Sequence, residues 1–277
     1  MDTKILITGA NGYIGSTLCT ELTESTITQL TREVVDLTDG ESVDAWFKDK
    51  NFDVVIHCAT VGGSRLQQDE GSVVHKNLSM FYNLLRNKKH YKKLISIGSG
   101  AEFDRTTKIT PLWSENKYPT DPYGLSKSIM NKLIGETEKF YNLRVYAVFD
   151  ENELNTRFIK SSITRYINNQ AIEIHQDRAL DFFYMKDFVE VVKYYIHSNN
   201  PPKVLDCSYK QKYYLKDIAE LINKLDSQKV SIIFSKEGFN LPYCGDSMPL
   251  EILKVKITGL EKAIVETYTK LTNQTPL

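Results

Sequence analysis

The chain has no long apolar run, no excess of charge and few cysteines. No apolar stretch approaches the roughly 18 residues of a transmembrane helix, and the N-terminus leads directly into a predicted strand. We therefore expect no membrane span, no signal peptide and a cytoplasmic location. The formal net charge of +0 gives no support for charge-driven binding to nucleic acid or membranes. The basic segment at 88–93 is interpreted as a solvated loop.

The cysteines and histidines have no spacing typical of a metal site. The four cysteines form no Cys-x-x-Cys pair, and the five histidines do not cluster. We therefore expect free thiols and no metal ion. His57 ends an apolar strand and is interpreted as a packed, hydrogen-bonded histidine. The cysteines are Cys19, Cys58, Cys207 and Cys244.

What is present is an ordinary globular composition with alternating strand and helix signals. The 277 residues are 41% hydrophobic and 25% charged, enough to bury a sizeable core. Apolar runs of strand length alternate with segments of helical periodicity, which predicts an α/β fold with a Rossmann-type doubly wound parallel sheet. The predicted strands are 4–8, 27–30, 53–57, 93–97 and 143–149, and the predicted helices 13–24, 41–49, 72–87 and 123–140.

After residue 150 the pattern loosens, which predicts a smaller α/β subdomain that binds substrate. We expect residues 1–150 to form the dinucleotide-binding domain and 151–277 the substrate subdomain, interleaved with the sheet near 180–210. Helices are predicted at 158–168, 186–197, 215–225 and 260–271, and strands at 171–175, 204–207 and 230–234.

A glycine-rich segment lies between the first predicted strand and the first predicted helix. Its glycines are Gly9, Gly12 and Gly15. In a dinucleotide-binding turn these positions allow a tight turn, let the backbone approach the pyrophosphate, and let the helix pack closely. The N–H groups at the start of the helix then face the phosphates. The segment predicts a site for a nicotinamide dinucleotide.

A tyrosine and a lysine one helical turn apart predict an acid-base group. Tyr123 and Lys127 are spaced i to i+4, which puts both on one helix face. A phenol has an ordinary pKa near 10 and works near neutrality only where a cation favours the phenolate. Ser99, at the end of an apolar run, could hold a substrate oxygen. The three residues predict hydride transfer to or from an alcohol carbon.

At these motifs the chain resembles the extended short-chain dehydrogenase/reductases, the NAD-dependent epimerase/dehydratase family, which act on nucleotide sugars. Within that family it is most similar to the 4-ketoreductases of the GDP-L-fucose synthase type, above all in the Ala-Thr-Val-Gly-Gly segment at 59–63. The other matching segments are 57–59, 77–78, 121–127 and 181–187.

The resemblance implies a nucleotide-sugar substrate, a homodimer joined through the tyrosine-bearing helix, and a role for each matching residue. The implied catalytic residues are Ser99, Tyr123 and Lys127. The implied cofactor contacts are Gly9, Asn11, Gly12, Tyr13, Ile14, Gly15, Arg32, Asp36, Leu37, Ala59, Thr60, Val61, Tyr123 and Lys127. The implied substrate contacts are Gly62, Gly63, Ser99, Gly100, Ala101, Arg157 and Arg178.

Two departures from the GDP-fucose synthase pattern bear on the reaction. The family's epimerising cysteine corresponds to Ala101, and its partner histidine aligns with Arg157. Alanine cannot exchange a proton, and arginine stays protonated, so neither residue replaces an acid-base group. We therefore expect reduction of the C4 ketone of a nucleotide-linked 4-keto-6-deoxy sugar, GDP-linked by preference, without epimerisation at C3 or C5, in surface-glycan biosynthesis.

The residue after the second predicted strand bears on the choice of dinucleotide. NAD-binding chains usually place an acidic residue at that strand end, whereas a basic residue accommodates the 2′-phosphate of NADP. Arg32 lies there, and Glu33 follows it. NADPH is therefore favoured, with NADH possible.

Other functions remain open at this stage. An NAD-dependent nucleotide-sugar 4-epimerase uses the same three residues. A dehydratase carries Asp-Glu soon after the catalytic Ser or Thr, and Gly100 and Ala101 argue against it. A non-catalytic NADP-binding sensor on the same fold is the third alternative, and the intact serine, tyrosine and lysine argue against it. The base, the sugar and the face of the ketone attacked stay open.

Overall fold

The structure is a computed structural model that describes residues 2–64, 67–109 and 117–274. Its main sheet has six strands in the order β2-β1-β3-β4-β5-β9, and two small sheets pair β10 with β7 and β6 with β8. The strands are β1 (Thr3–Thr8), β2 (Ser25–Leu30), β3 (Phe52–His57), β4 (Tyr91–Ser99), β5 (Phe140–Val145), β6 (Val148–Phe149), β7 (Ile172–Ile174), β8 (Phe183–Tyr184), β9 (Val204–Asp206) and β10 (Ile232–Phe234).

Helices follow most of the strands, which confirms the α/β class with a parallel Rossmann-type sheet. An apolar cluster that includes Leu6, Phe81 and Ile134 packs helices against this sheet. The helices are α1 (Tyr13–Glu21), α2 (Gly40–Phe47), α3 (Ser72–Arg86), α4 (Pro122–Glu136), α5 (Phe158–Ile167), α6 (Met185–His197), α7 (Leu215–Ile222), α8 (Met248–Leu253) and α9 (Leu260–Gln274). None of the described helices is long and apolar enough to cross a membrane.

The carboxyl ends of the first three strands lie side by side. Thr8, the last residue of β1, is in register with Leu30 of β2 and His57 of β3, and His57 with Ser96 of β4, all in parallel pairs. The chain places β2 on one side of β1 and β3 on the other, so the strand order reverses at β1. Ligands of open α/β sheets bind at such a reversal, outside the carboxyl ends of the strands.

The chain divides into two compact units. The first contains Met1–Asp104, Leu112–Arg144 and Val191–Asp206, and holds the main sheet. The second contains Arg105–Pro111, Val145–Glu190 and Cys207–Leu277. The second unit holds the two small sheets, α5, α7, α8 and α9.

The segment at 143–149, predicted as one strand, forms two. β5 pairs with β9 in the main sheet, whereas β6 pairs with β8 in a small sheet. The chain bends at Tyr146 between them. The mainly apolar residues on either side of the bend both fit a buried strand, so the periodicity contains no sign of the bend.

Candidate active site

A cavity of about 530 Å³ lies at the carboxyl ends of β1, β2 and β3 in the first unit. Its size lies within the range of small-molecule sites, roughly 300–1,000 Å³. Every expected cofactor contact except Tyr123 and Lys127 lines it. The remaining lining residues were not among the expected cofactor contacts; they are Leu30, Thr31, Glu33, Val35, Thr38, Cys58, Lys76 and Met80.

The glycine turn forms one wall of this cavity, and its geometry fits a pyrophosphate. Gly9 has φ +65°, and a Cβ there would lie 2.7 Å from the backbone of Ala59. A Cβ on Gly15 would lie 2.3 Å from the carbonyl oxygen of Gly9, so the helix packs directly on the turn. Gly12 is the N-cap of α1, and no described side chain caps this helix. The helix terminus therefore presents backbone to the cavity, as phosphate binding requires.

An arginine-aspartate pair forms the rim beyond β2. The Arg32 side chain is 83% exposed, and its Nη2 lies 3.3 Å from Asp36 Oδ2. Thr38 donates its backbone N–H and its hydroxyl to Asp36 Oδ1, at 2.9 and 2.7 Å. These bonds from Thr38 are the main reason that the pKa of Asp36 is lowered. Asp36 is thus held as a carboxylate beside an arginine that reaches into solvent.

The loop at 59–63 is held in place by Asn77 of α3. Asn77 accepts from the backbone N–H of Val61 at 2.8 Å and donates to the Val61 carbonyl at 3.0 Å. Its amide also donates to the hydroxyl of Ser126, at 3.0 Å. One amide side chain therefore connects the cavity loop to α4, the helix that carries Tyr123 and Lys127.

The serine turn lies against the start of α4. Ser99 ends β4, and its Oγ accepts from the backbone N–H of Ala101 at 3.1 Å. Asp121 caps α4 by accepting from the N–H of Gly124 at 2.8 Å. A Cβ on Gly124 would lie 2.3 Å from the carbonyl oxygen of Ala101. This close approach brings the turn that follows Ser99 next to the residue after Tyr123.

Lys127 is a buried cation beside the tyrosine ring. It is 3% exposed, its Nζ donates to the Ile97 carbonyl at 2.8 Å, and Nζ lies 5.8 Å from the centre of the Tyr123 ring. Burial lowers the pKa of Lys127 to about 8, against the opposing fields of Glu102 and Cys58. An ammonium group at this place stabilises a phenolate, which is what a tyrosine acid-base group needs.

His57 is a buried, hydrogen-bonded core residue, which confirms its interpretation from the sequence. It is 1% exposed, and its Nδ1 lies 2.9 Å from the hydroxyl oxygen of Thr8. Burial, and then the charge of Lys127, lowers the pKa of His57 to about 3. The ring is therefore neutral at physiological pH. The four cysteines are free thiols, and the described residues contain no group of His, Cys, Asp and Glu that could hold a metal ion.

The two arginines expected at the substrate belong to the second unit, whereas the other expected site residues belong to the first. Arg157 precedes α5, and its Nε lies 3.8 Å from the buried carboxylate of Glu153. Arg178 is partly buried, and this burial lowers its pKa, to which the charge of Arg105 adds.

Sequence reasoning missed two acidic residues near the expected site. Asp69 accepts from the backbone N–H of Gly63 through both carboxylate oxygens, at 3.1 and 2.9 Å. Glu102 accepts from the backbone N–H of Ser99 at 3.0 Å. Glu102 could have been found, because Ser99 and Glu102 have the Ser-x-x-Glu spacing of a capping box. Asp69 follows no comparable pattern.

Comparison with known proteins identifies the class. The model of the NAD dependent epimerase/dehydratase family matches residues 5–207. The chain belongs to this family. This confirms the resemblance to the extended short-chain dehydrogenase/reductases and, with it, an enzyme that uses a nicotinamide dinucleotide.

Particular relatives are more distant. The spore coat polysaccharide biosynthesis protein SpsK of Bacillus subtilis (strain 168) is 26% identical over 216 residues, 74% of this chain and 73% of the relative. The NADP-bound GDP-mannoheptose C4 reductase MlghC of Campylobacter jejuni is 17% identical, with a TM-score of 0.80 over 98% of both chains. The UDP-glucose 4-epimerase of Thermotoga maritima is 16% identical, with a TM-score of 0.80 over 98% of this chain and 99% of that one. The two structures show the shared fold.

Proposed function

We propose that the protein reduces the C4 ketone of a nucleotide-linked 4-keto-6-deoxy sugar with NADPH, without epimerising C3 or C5. The observation that carries this proposal is the close approach of Gly124 to the Ala101 carbonyl. That contact sets the serine turn beside Tyr123 and Lys127 on α4, next to a cavity lined by the dinucleotide motif.

The three side chains divide the acid-base work. Ser99 and Tyr123 hydrogen-bond the C4 oxygen of the sugar, and Tyr123 donates the proton that the developing alkoxide requires. Lys127 stabilises the phenolate that remains and holds the nicotinamide ribose. A reduced nicotinamide dinucleotide, when bound, supplies hydride to C4.

The turn after Ser99 supports reduction without epimerisation. Ala101 is 2% exposed and has no proton to exchange. Arg157, the residue aligned with the family's histidine, lies near the carboxylate of Glu153 and stays protonated. Neither position therefore provides the acid-base pair that epimerisation at C3 and C5 needs.

The rim of the cavity supports NADPH over NADH. Arg32 lies just beyond β2, where the adenosine ribose of a dinucleotide is bound in this fold. Its guanidinium suits the doubly charged 2′-phosphate. Asp36, which it contacts, and Leu37 would then lie along the adenine.

The relatives support the substrate class. A reductase of a GDP-linked sugar and a polysaccharide biosynthesis protein are both similar to this chain, which favours a GDP-linked substrate and a role in surface-glycan synthesis. We also propose a homodimer, which light scattering on the purified protein tests directly.

The first experiment is a substrate panel. Purified protein is mixed with NADPH or NADH and with GDP-, dTDP-, UDP- and CDP-linked 4-keto-6-deoxy sugars, together with a GDP-linked 4-keto heptose. Absorbance near 340 nm follows the cofactor, and NMR identifies the product. Oxidation of one NADPH per molecule of one sugar supports the proposal, and the NMR spectrum of the product gives the configuration at C4.

Two results would overturn parts of it. Absence of NADPH consumption across the panel, with tightly bound NAD in the purified protein, would indicate a 4-epimerase. Deuterium at C3 or C5 of product made in heavy water, absent from substrate kept without enzyme, would show that epimerisation takes place after all.

A further inference from the structure

The carboxylate of Glu102 is fully buried directly behind the serine turn. Its side chain is 0% exposed. Oε1 accepts from the backbone N–H of Ser99 and from the Asn142 amide, both at 3.0 Å, and Oε2 accepts from Arg144 Nε at 2.9 Å. Ser99 Oγ in turn accepts from the N–H of Ala101. The orientation of Ser99 thus depends on a carboxylate that does not itself reach solvent.

This carboxylate belongs to a buried network that crosses the sheet. Arg144 of β5 donates to Glu102 and also to Asp206 of β9. Asn142 donates to Asn131 of α4 at 2.8 Å as well as to Glu102. Arg144 thus lies between two carboxyl groups, those of Glu102 and Asp206.

Burying such a group is expensive. Ion pairs inside a protein lose the free energy of hydration, and their mutual attraction only partly compensates for this loss. Well-packed apolar residues in the same place often give a protein of equal or greater stability. A capping box needs only one acceptor at its third position, and glutamine provides it. The capping of the turn alone therefore does not explain why position 102 carries a glutamate rather than a glutamine.

The charge of Lys127 supplies the reason. Lys127 Nζ donates to the carbonyl of Ile97 at 2.8 Å, and Glu102 Oε1 lies against the next residue of β4, Gly98, where an added Cβ would be 2.4 Å from it. Of the charges that raise the pKa of Lys127 against its burial, that of Glu102 is the largest. We propose that Glu102 is a positioning residue with two tasks: it orients Ser99 through the Ser99 N–H, and it is the buried counter-charge of Lys127. The second task rests on the proposed function, because the tyrosine acid needs a charged lysine.

The groups around Lys127 come from three elements. Glu102 follows β4, Cys58 and His57 lie at the end of β3, and Tyr123 is on α4 with Lys127. Burial raises the pKa of Cys58 to about 12 and lowers that of His57 to about 3, so both are neutral at physiological pH. Glu102 is thus the carboxyl group of this set.

The test replaces Glu102 by glutamine, which keeps one acceptor oxygen for the Ser99 N–H, puts an amide NH2 in place of the oxygen that faces Arg144, and removes the charge. The whole protein is labelled with 13C and 15N in its lysine side chains, and Lys127→Arg assigns the Lys127 signal. We expect the titration midpoint of Lys127 to fall by about one pH unit or more, because an opposite charge is lost. An unchanged midpoint in folded Glu102→Gln protein would overturn the counter-charge.

A matched control removes the other carboxylate of the network. Asp206→Asn also removes a buried carboxyl group beside Arg144, whereas the charges that raise the pKa of Lys127 are those of Glu102 and Cys58. We expect a lower melting temperature with a Lys127 midpoint within a few tenths of a pH unit of the original. An equal shift in both variants would show that general loosening of the network, and not the charge of Glu102, is the cause.

Glu102→Asp separates the two tasks and also covers the case in which Glu102→Gln does not fold. The shorter side chain keeps the charge but withdraws it from the Ser99 N–H. We expect the original Lys127 midpoint together with a roughly 10-fold loss of turnover, the scale of one lost hydrogen bond to a charged group. Full turnover in Glu102→Asp would overturn the orienting task.

The NMR readout keeps this inference separate from the proposed function. It needs no sugar substrate, so a protein inactive on the whole panel still reports the Lys127 midpoint. Failure of the panel with a shifted midpoint in Glu102→Gln would reject the reaction and retain the charge relationship.

Discussion

The backbone of Gly63 lies against the aromatic ring of Tyr123. A Cβ on Gly63 would stand 2.9 Å from Cζ of that ring and 3.0 Å from both Cε atoms, and the residue has φ +75°. Asp69 holds the Gly63 N–H in this position. The loop therefore covers one face of the phenol and limits the positions that its hydroxyl can take.

Replacing Gly63 by alanine should disturb the reaction more than cofactor binding. The methyl group would collide with the Tyr123 ring, and the left-handed backbone adds a strain of about 1–3 kcal/mol. Because a displacement of about 1 Å can reduce a rate about 100-fold, we expect kcat to fall on that order while the Kd for NADPH stays within a few-fold. Steady-state kinetics and fluorescence titration measure the two quantities.

The matched control is Gly71→Ala. Gly71 has φ −55° and no atom within 4 Å of its added Cβ. This variant should keep its turnover. Full kcat in Gly63→Ala would show that the loop is displaced from Tyr123 during the reaction.

Removing the Tyr123 hydroxyl should abolish turnover with little change in cofactor affinity. Tyr123→Phe keeps the ring that packs on Gly63 and deletes only the proton donor, so kcat should fall about 100- to 10,000-fold. Tyr82→Phe on α3 is the control, because Tyr82 is 46% exposed, and it should leave turnover unchanged. Single-turnover rates and NADPH titrations distinguish the two effects. Near-normal turnover of Tyr123→Phe would refute the proton-donor role.

Replacing Arg32 should change the choice of cofactor. In Arg32→Gln the guanidinium is replaced by a shorter, neutral amide, and a hydrogen bond to a charged group is worth about 1.5–3 kcal/mol. We expect the Kd for NADPH to rise about 10- to 100-fold and the Kd for NADH to stay nearly constant. Equal losses for both cofactors would place the effect in the Arg32–Asp36 contact rather than in a 2′-phosphate.

The elements that depend on neighbours in the sequence were predictable. The strand, glycine turn and helix at 4–24 are signalled by apolar runs and glycine spacing, and the structure has β1 and α1 there. The same holds for Tyr123 and Lys127, whose i to i+4 spacing on α4 needs only a helix to bring them together.

The contacts that depend on tertiary packing were not predictable. Arg144 contacts Glu102 across 42 positions of sequence and Asp206 across 62. The capping-box spacing of Glu102 indicates its bond to Ser99 but neither of these pairs. Which strands become neighbours decides these pairs, and strand order is not encoded in periodicity. Asn77 was predictable in part. Its segment at 77–78 matches the family, but its hydrogen bonds to Val61 and Ser126 depend on how α3 packs.

The stability of the second unit should depend on the ionisation of Glu153. Burial raises the pKa of this carboxyl from 4.5 to about 7, against the opposing N–H of Lys160 and charge of Arg157. A raised pKa means that the native state binds the proton more tightly than the unfolded chain. The stability that this proton contributes is present below about pH 4.5 and is lost as the pH rises through about 7.

Glu153→Gln should therefore stabilise the protein only on the alkaline side. The amide keeps an acceptor for the Lys160 N–H and never ionises, so the gain should reach about 3 kcal/mol at most at pH 8 and vanish near pH 4.5. Urea unfolding at both pH values measures it. Glu220→Gln on α7, whose carboxylate pairs with Lys216 at the surface, should show no such pH-dependent gain. A Glu153→Gln variant that is equally or less stable at pH 8 would mean that the ionised carboxylate is compensated by its neighbours, and that Arg157 is its ion-pair partner in the native state.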